Sequence, residues 1–189
     1  MAFPNNLLAA SSTTILFFFL VFSSSLEAVP LPPNSKLTKL KERACHATNS
    51  YTFCMKRLNR NPQAISAKTD LDLQKAILEM GKTKALRIQT VIYKMRVSKD
   101  PRFVAVKPAL AVCANSYISI VGSFQAVAEL ELEEDLLSAN YDIMVLFDYI
   151  GYCEDALAKA TARLPDMAIA NRAMKYFISM AATATNGLE

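Results

Sequence analysis

Residues 103–128 read FVAVKPALAVCANSYISIVGSFQAVA, and their apolar members keep a helical register: Phe103, Val106, Leu110, Cys113, Tyr117, Val121, Phe124 and Ala128. Spacings of three and four put these side chains in one stripe along a helix of roughly seven turns. Cys113 lies in the stripe, so a disulfide from it staples this helix to another element. Four cysteines allow three pairings. Cys45 and Cys54 are close neighbours, which leaves Cys153 as the obvious partner of Cys113. Two long helices braced in this way make a rigid body, better suited to binding than to catalysis. Pro108 is the one difficulty in the stripe, because it removes an amide and bends the first turns unless the helix starts near Lys107. A bend is the milder expectation.

Working outward, the chain before the stripe carries another long pattern. It begins near Thr69 or Asp70, either of which caps a helix, and runs through Leu73, Ile77, Met80, Lys84, Ile88, Val91 and Met95. Ser98-Lys99-Asp100-Pro101 punctuates it. After the stripe come Glu129, Glu131, Glu133, Glu134 and Asp135, read as a solvated turn between antiparallel helices or, more sharply, as a charged contact surface. A third helix starts at Leu136 and runs toward Tyr149, with Leu136, Asn140, Ile143, Met144 and Phe147 on its apolar side. A fourth follows Pro165 and Asp166, facing inward through Ile169, Ala173, Met174, Phe177, Ile178 and Ala181, and Asn186-Gly187 supplies its stop. No strand alternation is present. The expected fold is all-α: an up-down-up-down four-helix bundle over 69–185, with an N-terminal α-hairpin extension over 36–60. The Asn59–Pro62 turn would set that hairpin outside the bundle, free to fold back or to pair with a second chain.

The first 28 residues are read as a secretory leader. Ile15 to Phe22 is a dense apolar run followed by Ser23-Ser24-Ser25, with small residues for cleavage after Ser25 or Ala28. What remains, 29–189, is one domain by length. Removing Glu27 with the leader leaves 21 basic against 16 acidic side chains, a net charge of +5 instead of +4. That balance favours acidic surfaces, including wall polyanions, without being a nucleic-acid signature. No second apolar run approaches the roughly 20 residues that span a bilayer, so no stable membrane association is expected after cleavage. Cysteines behind a leader default to disulfides. Chain entropy assigns about 2.5 kcal/mol to a Cys45–Cys54 closure and about 4 kcal/mol to Cys113–Cys153.

Catalytic chemistry has little to stand on. His46 is the sole histidine, no nucleophile elbow accompanies it, and one histidine with paired cysteines is no zinc set. No phosphate loop, dinucleotide fingerprint or EF-hand is present. The acids Glu131 and Asp135, or Glu154 and Asp155, are commonplace on exposed helices. The reading is therefore no catalytic, cofactor or metal residues. Two basic clusters, Lys56, Arg57 and Arg60, and Lys94, Arg96, Lys99, Arg102 and Lys107, keep polyanion binding open as a different class of function.

The sequence Cys45-His46-Ala47-Thr48-Asn49-Ser50-Tyr51-Thr52-Phe53-Cys54, followed by Leu58, Pro62 and Asp70-Leu71, begins a pattern. It continues through Ala109-Leu110-Ala111-Val112-Cys113, Tyr117, Ser138-Ala139-Asn140 and Cys153-Glu154-Asp155. Together these residues resemble the plant invertase and pectin methylesterase inhibitor family, including its pollen members, over about Cys45 to Met180. The resemblance implies Cys45–Cys54 and Cys113–Cys153 disulfides, the bundle with its hairpin, and a secreted inhibitor of the apoplast, cell wall or vacuole. Its implied partner is a secreted pectin methylesterase or an acid invertase, with pectin contact as a further possibility. Invertase-inhibiting members carry Pro-Lys-Phe at the approach to the third bundle helix. Counting back from Cys153 places Leu136-Leu137-Ser138 there, behind an acidic run, so steric cover of a pectin methylesterase groove is the preferred expectation. The interface residues it suggests are Tyr117, Glu131, Asp135, Asn140 and Asp142. The alternatives are invertase inhibition and a non-inhibitory wall protein that binds polyanions.

Overall fold

A computed structural model describes residues 35–186. The expected leader and Gly187 of the expected stop lie outside the described residues. Contacts divide the chain into Met1–Pro33 and Asn34–Glu189, and every element described here belongs to the second unit.

The helices are α1 (Ser35–His46), α2 (Tyr51–Leu58), α3 (Pro62–Ser66), α4 (Asp70–Val97), α5 (Pro101–Val104), α6 (Lys107–Ala126), α7 (Leu136–Lys159) and α8 (Pro165–Thr185), with a π-helical turn at Val127–Glu131 continuing α6. Four of them, α4, α6, α7 and α8, pack in a ring in which each touches the next. The directions alternate. Cys113 near the start of α6 is bonded to Cys153 near the end of α7. Gln74 Nε2 at the start of α4 donates to the Ala184 carbonyl at the end of α8 (2.8 Å). The up-down-up-down bundle is thus the observed architecture, and Cys45–Cys54 closes the hairpin beside it.

Local chemistry sets the helix ends. Thr69 Oγ1 accepts from the Asp72 amide (3.1 Å) while Asp72 Oδ2 accepts from the Thr69 amide (3.0 Å), a capping box that starts α4. The amides of Lys68 and Thr69 and the Thr69 hydroxyl hold the Asp72 carboxyl below the usual range, Lys68 first. The expected bend at Pro108 does not occur. The 103–128 pattern is instead divided: Phe103 sits in the one-turn α5, and α6 begins at Lys107 with Pro108 in its first turn, where a missing amide costs nothing. Of the two courses left open for the hairpin extension, folding back is the one observed. Its Phe53 ring lies 4.9 Å from Tyr176 and 5.5 Å, edge-on, from Phe177, and the Asn49 amide donates to Ser179 Oγ (3.2 Å), which seats it on α8.

The segment Lys107–Glu131 is long and apolar enough, by length and composition, to cross a bilayer, contrary to the expectation that no such run follows the leader. Its hydrophobicity is explained by position. Leu110, Cys113, Tyr117, Ile120, Phe124 and Val127 are all fully buried among the other three helices.

Gly81 of α4 leaves the space that the Phe124 ring of α6 occupies. A methyl added there would overlap the Phe124 ring, 2.5 Å from Cζ, and Phe124 is itself fully buried. Gly81→Ala gains about 1 kcal/mol of helix propensity against an overpacking cost of about 1–3 kcal/mol. The expected result is a net loss of up to about 2 kcal/mol in urea unfolding. Combining it with Phe124→Leu should recover part of that loss, and additive effects in the double variant would refute the contact.

Candidate docking surface

Helix α7 buries Ala139, Ile143, Leu146, Ile150, Cys153 and Leu157, a regular alternation of fours and threes. That register places Leu137, Tyr141, Met144 and Tyr152 on the outer side, where they are 82%, 68%, 48% and 56% exposed. Leu130, on the preceding π turn, is also exposed. The expected apolar side of α7 was thus rotated: Leu136 and Met144 face solvent, and Ala139, Leu146 and Ile150 take the interior. Ile169 in α8 and Val91 in α4 are likewise exposed instead of inward.

A stripe of tyrosine, leucine and methionine is useful for recognition only if its backbone is held still. Several bonds hold it. The disulfide ties Cys153 to α6, Tyr117 Oη donates to Asn171 Oδ1 (2.9 Å), and Asn171 Nδ2 lies 3.7 Å from Cys153 Sγ, so α6, α7 and α8 meet around one buried point. Burial, then the Glu154 charge, pushes the Tyr117 hydroxyl well above its ordinary range, so it remains a proton donor. Lys175 pairs with Glu154 at 2.7 Å between α7 and α8.

The entry to α7 is acidic. Asp135 accepts from the amides of Leu137 (3.0 Å) and Ser138 (3.1 Å) and from the Ser138 hydroxyl (2.7 Å), capping the helix. The Ser138 hydroxyl and amide, followed by Leu137, hold its carboxyl below the usual range. Glu133 reaches across to Lys75 of α4. Glu131 Oε2 is buried without a hydrogen-bond donor among the described residues. Its neighbour is the Asp142 carboxylate, which only accepts unless one of the two holds a proton. Burial first, then Asp142 and Asp135, pushes the Glu131 carboxyl upward.

The signs of these shifts differ. A carboxyl whose pKa rises on folding binds its proton more tightly in the folded chain, so Glu131 costs stability as pH climbs above the ordinary glutamate range. Asp72 and Asp135, shifted downward, lend stability at neutral pH that is lost as pH falls through their depressed values. Glu131→Gln is therefore expected to raise the melting temperature at pH 7, with the gain shrinking toward pH 4. A gain independent of pH would show that the two carboxyls do not oppose each other.

The five interface residues suggested from sequence meet different fates. Tyr117 is fully buried and belongs to the core, because its hydroxyl finds its partner inside. Asn140 is half-buried, with Nδ2 donating to the Ala182 carbonyl (2.8 Å) and Thr185 Oγ1 (3.1 Å), so its amide is occupied in holding α7 to α8. Glu131, Asp135 and Asp142 are brought together at the α7 entry. The exposed stripe itself was missed. Cys153 could have revealed it: a bonded, buried cysteine sets the register, and counting back in threes and fours gives Ile150, Leu146, Ile143 and Ala139.

His46 stacks near Tyr51, with ring centroids 4.8 Å apart, and among the described residues no group of histidine, cysteine and acidic side chains is placed to hold a metal. A model for the plant invertase/pectin methylesterase inhibitor family matches residues 39–184. The chain belongs to that family. The match takes in both the hairpin and the bundle, so the two form one family unit, and the family is one of enzyme inhibitors. The crystal structure of mutant form A of a pectin methylesterase inhibitor from Arabidopsis shares the fold with a TM-score of 0.63 at 20% identity, covering 77% of this chain and 94% of that one. A second pectin methylesterase inhibitor structure, from Arabidopsis thaliana, gives 0.56 at 20% identity over 79% and 95% of the two chains. No curated protein sequence matches the chain.

Proposed function

We propose that this protein is a secreted inhibitor of a pectin methylesterase, acting by laying the outer face of α7 and its acidic entry across the enzyme's substrate groove. The observation that carries this is the exposed stripe Leu137, Tyr141, Met144 and Tyr152 on a helix pinned by disulfide and hydrogen bonds. Rigid aromatic and aliphatic anchors give binding energy at small entropic cost. Family membership and the fold shared with two pectin methylesterase inhibitors support the target class. Two buried disulfides suit an oxidising compartment outside the cytosol.

Charge supports the esterase over the invertase as the target. Glycoside hydrolases work with paired carboxylates in the cleft. Glu133, Glu134 and Asp135 at the α7 entry are all exposed, and like charges approaching such a cleft are penalised. A groove that accepts esterified, neutralised polymer carries no such requirement. Protein secreted from the full-length sequence, kept oxidised and titrated against a pectin methylesterase and an acid invertase at several acidic pH values, tests the assignment. Saturable inhibition of the esterase alone is expected. Inhibition of invertase alone would reverse the target, and inhibition of neither would remove the inhibitory role.

A further inference from the structure

The alternation of the bundle sorts its charges. At the end holding the α6–α7 connection, residues 127–142 carry six acids and no base. At the opposite end, residues 94–107 carry Lys94, Arg96, Lys99, Arg102 and Lys107 against the single acid Asp100. The α7–α8 connection adds Lys159 and Arg163 against Asp166. The proximity of Arg102 to Asp166 joins these two segments in space. Arg102 is already bound to Asp100 at 2.6 Å. Lys94, Arg96, Lys99, Lys107, Lys159 and Arg163 are exposed and have no acidic partner among the described residues.

A groove of about 640 Å³ opens at this end, between the last turns of α7 and the first turns of α8. Its lining combines the apolar Leu157, Ala162, Leu164 and Pro165 with the guanidinium groups of Arg163 and Arg172. Glu154, the acid that lines it, is neutralised by Lys175. Apolar lining and guanidinium groups together match a pyranose ring bearing a carboxylate: the ring's C–H face packs on apolar side chains, and a planar guanidinium receives both carboxylate oxygens. The surrounding lysines extend the attraction to a repeating anion.

We propose that this basic end is a second binding site, for polyuronate, the de-esterified form of the pectin chain. The choice of a carboxylate sugar polymer over other polyanions rests on the inhibitor reading above, since de-esterified polymer is what a pectin methylesterase produces. The site lies at the end of the bundle away from the acidic α7 entry. It therefore holds the inhibitor on polymer that the esterase has already processed, so inhibitor accumulates where product does.

The test is calorimetric titration of the secreted, oxidised protein with oligogalacturonate and with a fully methyl-esterified oligomer of equal length, at low and at moderate salt. The free-acid oligomer should bind at least tenfold more tightly, and salt should abolish the difference. The variant Lys99→Gln/Arg163→Gln/Arg172→Gln should weaken that binding at least tenfold while leaving the melting temperature and the complex with the esterase unchanged. Lys56→Gln/Arg60→Gln, in the hairpin, should leave it intact. Equal affinity for the two oligomers, undiminished binding by the triple variant, or equally tight binding of single-stranded DNA of matched charge would each overturn the proposal. Oligomer binding without an esterase complex would leave this site standing and sink the inhibitor reading, and an esterase complex without oligomer binding would do the reverse.

Discussion

Replacing Cys113 and Cys153 together by alanine is expected to destabilise the protein by about 4 kcal/mol, because the bond closes a 40-residue separation in the unfolded chain. For a chain of this size that corresponds to a fall of roughly 10 °C in the melting temperature. Cys45→Ala/Cys54→Ala removes a closure of separation nine, for which the same argument gives about 2.5 kcal/mol. Thermal unfolding followed by circular dichroism on the oxidised variants reads the difference directly. The two bonds also differ in what they hold. Cys113–Cys153 stands beside the buried Tyr117–Asn171 hydrogen bond, so its loss loosens the α6–α7–α8 junction beneath the exposed stripe. Cys45–Cys54 braces only the hairpin. Esterase binding should therefore weaken more in the first variant than in the second, even at a temperature where both are folded. Equal losses of stability and of binding would show that α7 needs no brace.

The largest effect on recognition is expected from Leu137→Asp/Tyr141→Asp. Both residues are well exposed in the free protein, so their replacement should leave the melting temperature within about 1 °C, surface changes being close to neutral. Affinity for the esterase should fall at least about 100-fold, which is roughly 2.7 kcal/mol and within the range of a buried hot spot. Tyr141→Ala alone should cost about tenfold. Tyr93→Ala provides the comparison: it removes a tyrosine of similar exposure from α4, which sits diagonally across the bundle from α7, and it should bind as the unaltered protein does. Surface plasmon resonance on immobilised enzyme distinguishes the cases, since loss of anchors appears chiefly in the dissociation rate. If Tyr93→Ala weakens binding as much as Tyr141→Ala, the docking face has been assigned to the wrong helix.

The acidic entry behaves differently from the stripe. Asp135 is occupied by the first amides of α7, and Glu133 by Lys75, so both have work to do inside the molecule as well as facing outward. Glu131 and Asp142 place two carboxyls together where the π turn meets α7. Burial of the Glu131 carboxyl and its repulsion by Asp142 are both relieved by protonation, so this corner of the surface gains stability as pH falls toward the ordinary glutamate range.

The one-dimensional pattern was enough for the class of fold. Four long stretches with apolar residues at threes and fours have no stable partner except one another, and a cysteine within such a stripe makes sense only as a cross-brace. The capping residue Thr69 and the first-turn proline Pro165 follow from local chemistry that a linear chain displays, whereas both disulfides were expected from the cysteine spacing and the family resemblance. The rotation of α7 was not legible in the same way. Leu136 and Met144 are as hydrophobic as Leu146 and Ile150, and only packing against α6 and α8, with Cys153 tied inward, decides which of them meet water. Nor does spacing distinguish a tyrosine whose hydroxyl finds Asn171 inside the core from one, such as Tyr141, that ends in solvent. The separation of acidic and basic residues onto opposite ends likewise exists only once the helices alternate in direction. Local propensity acts over a few residues, so it determined the helices and their ends. The carboxyl pair and the basic groove join side chains from different elements, and the exposed stripe is the side of α7 that packing against α6 and α8 leaves outside, so tertiary packing decided all three.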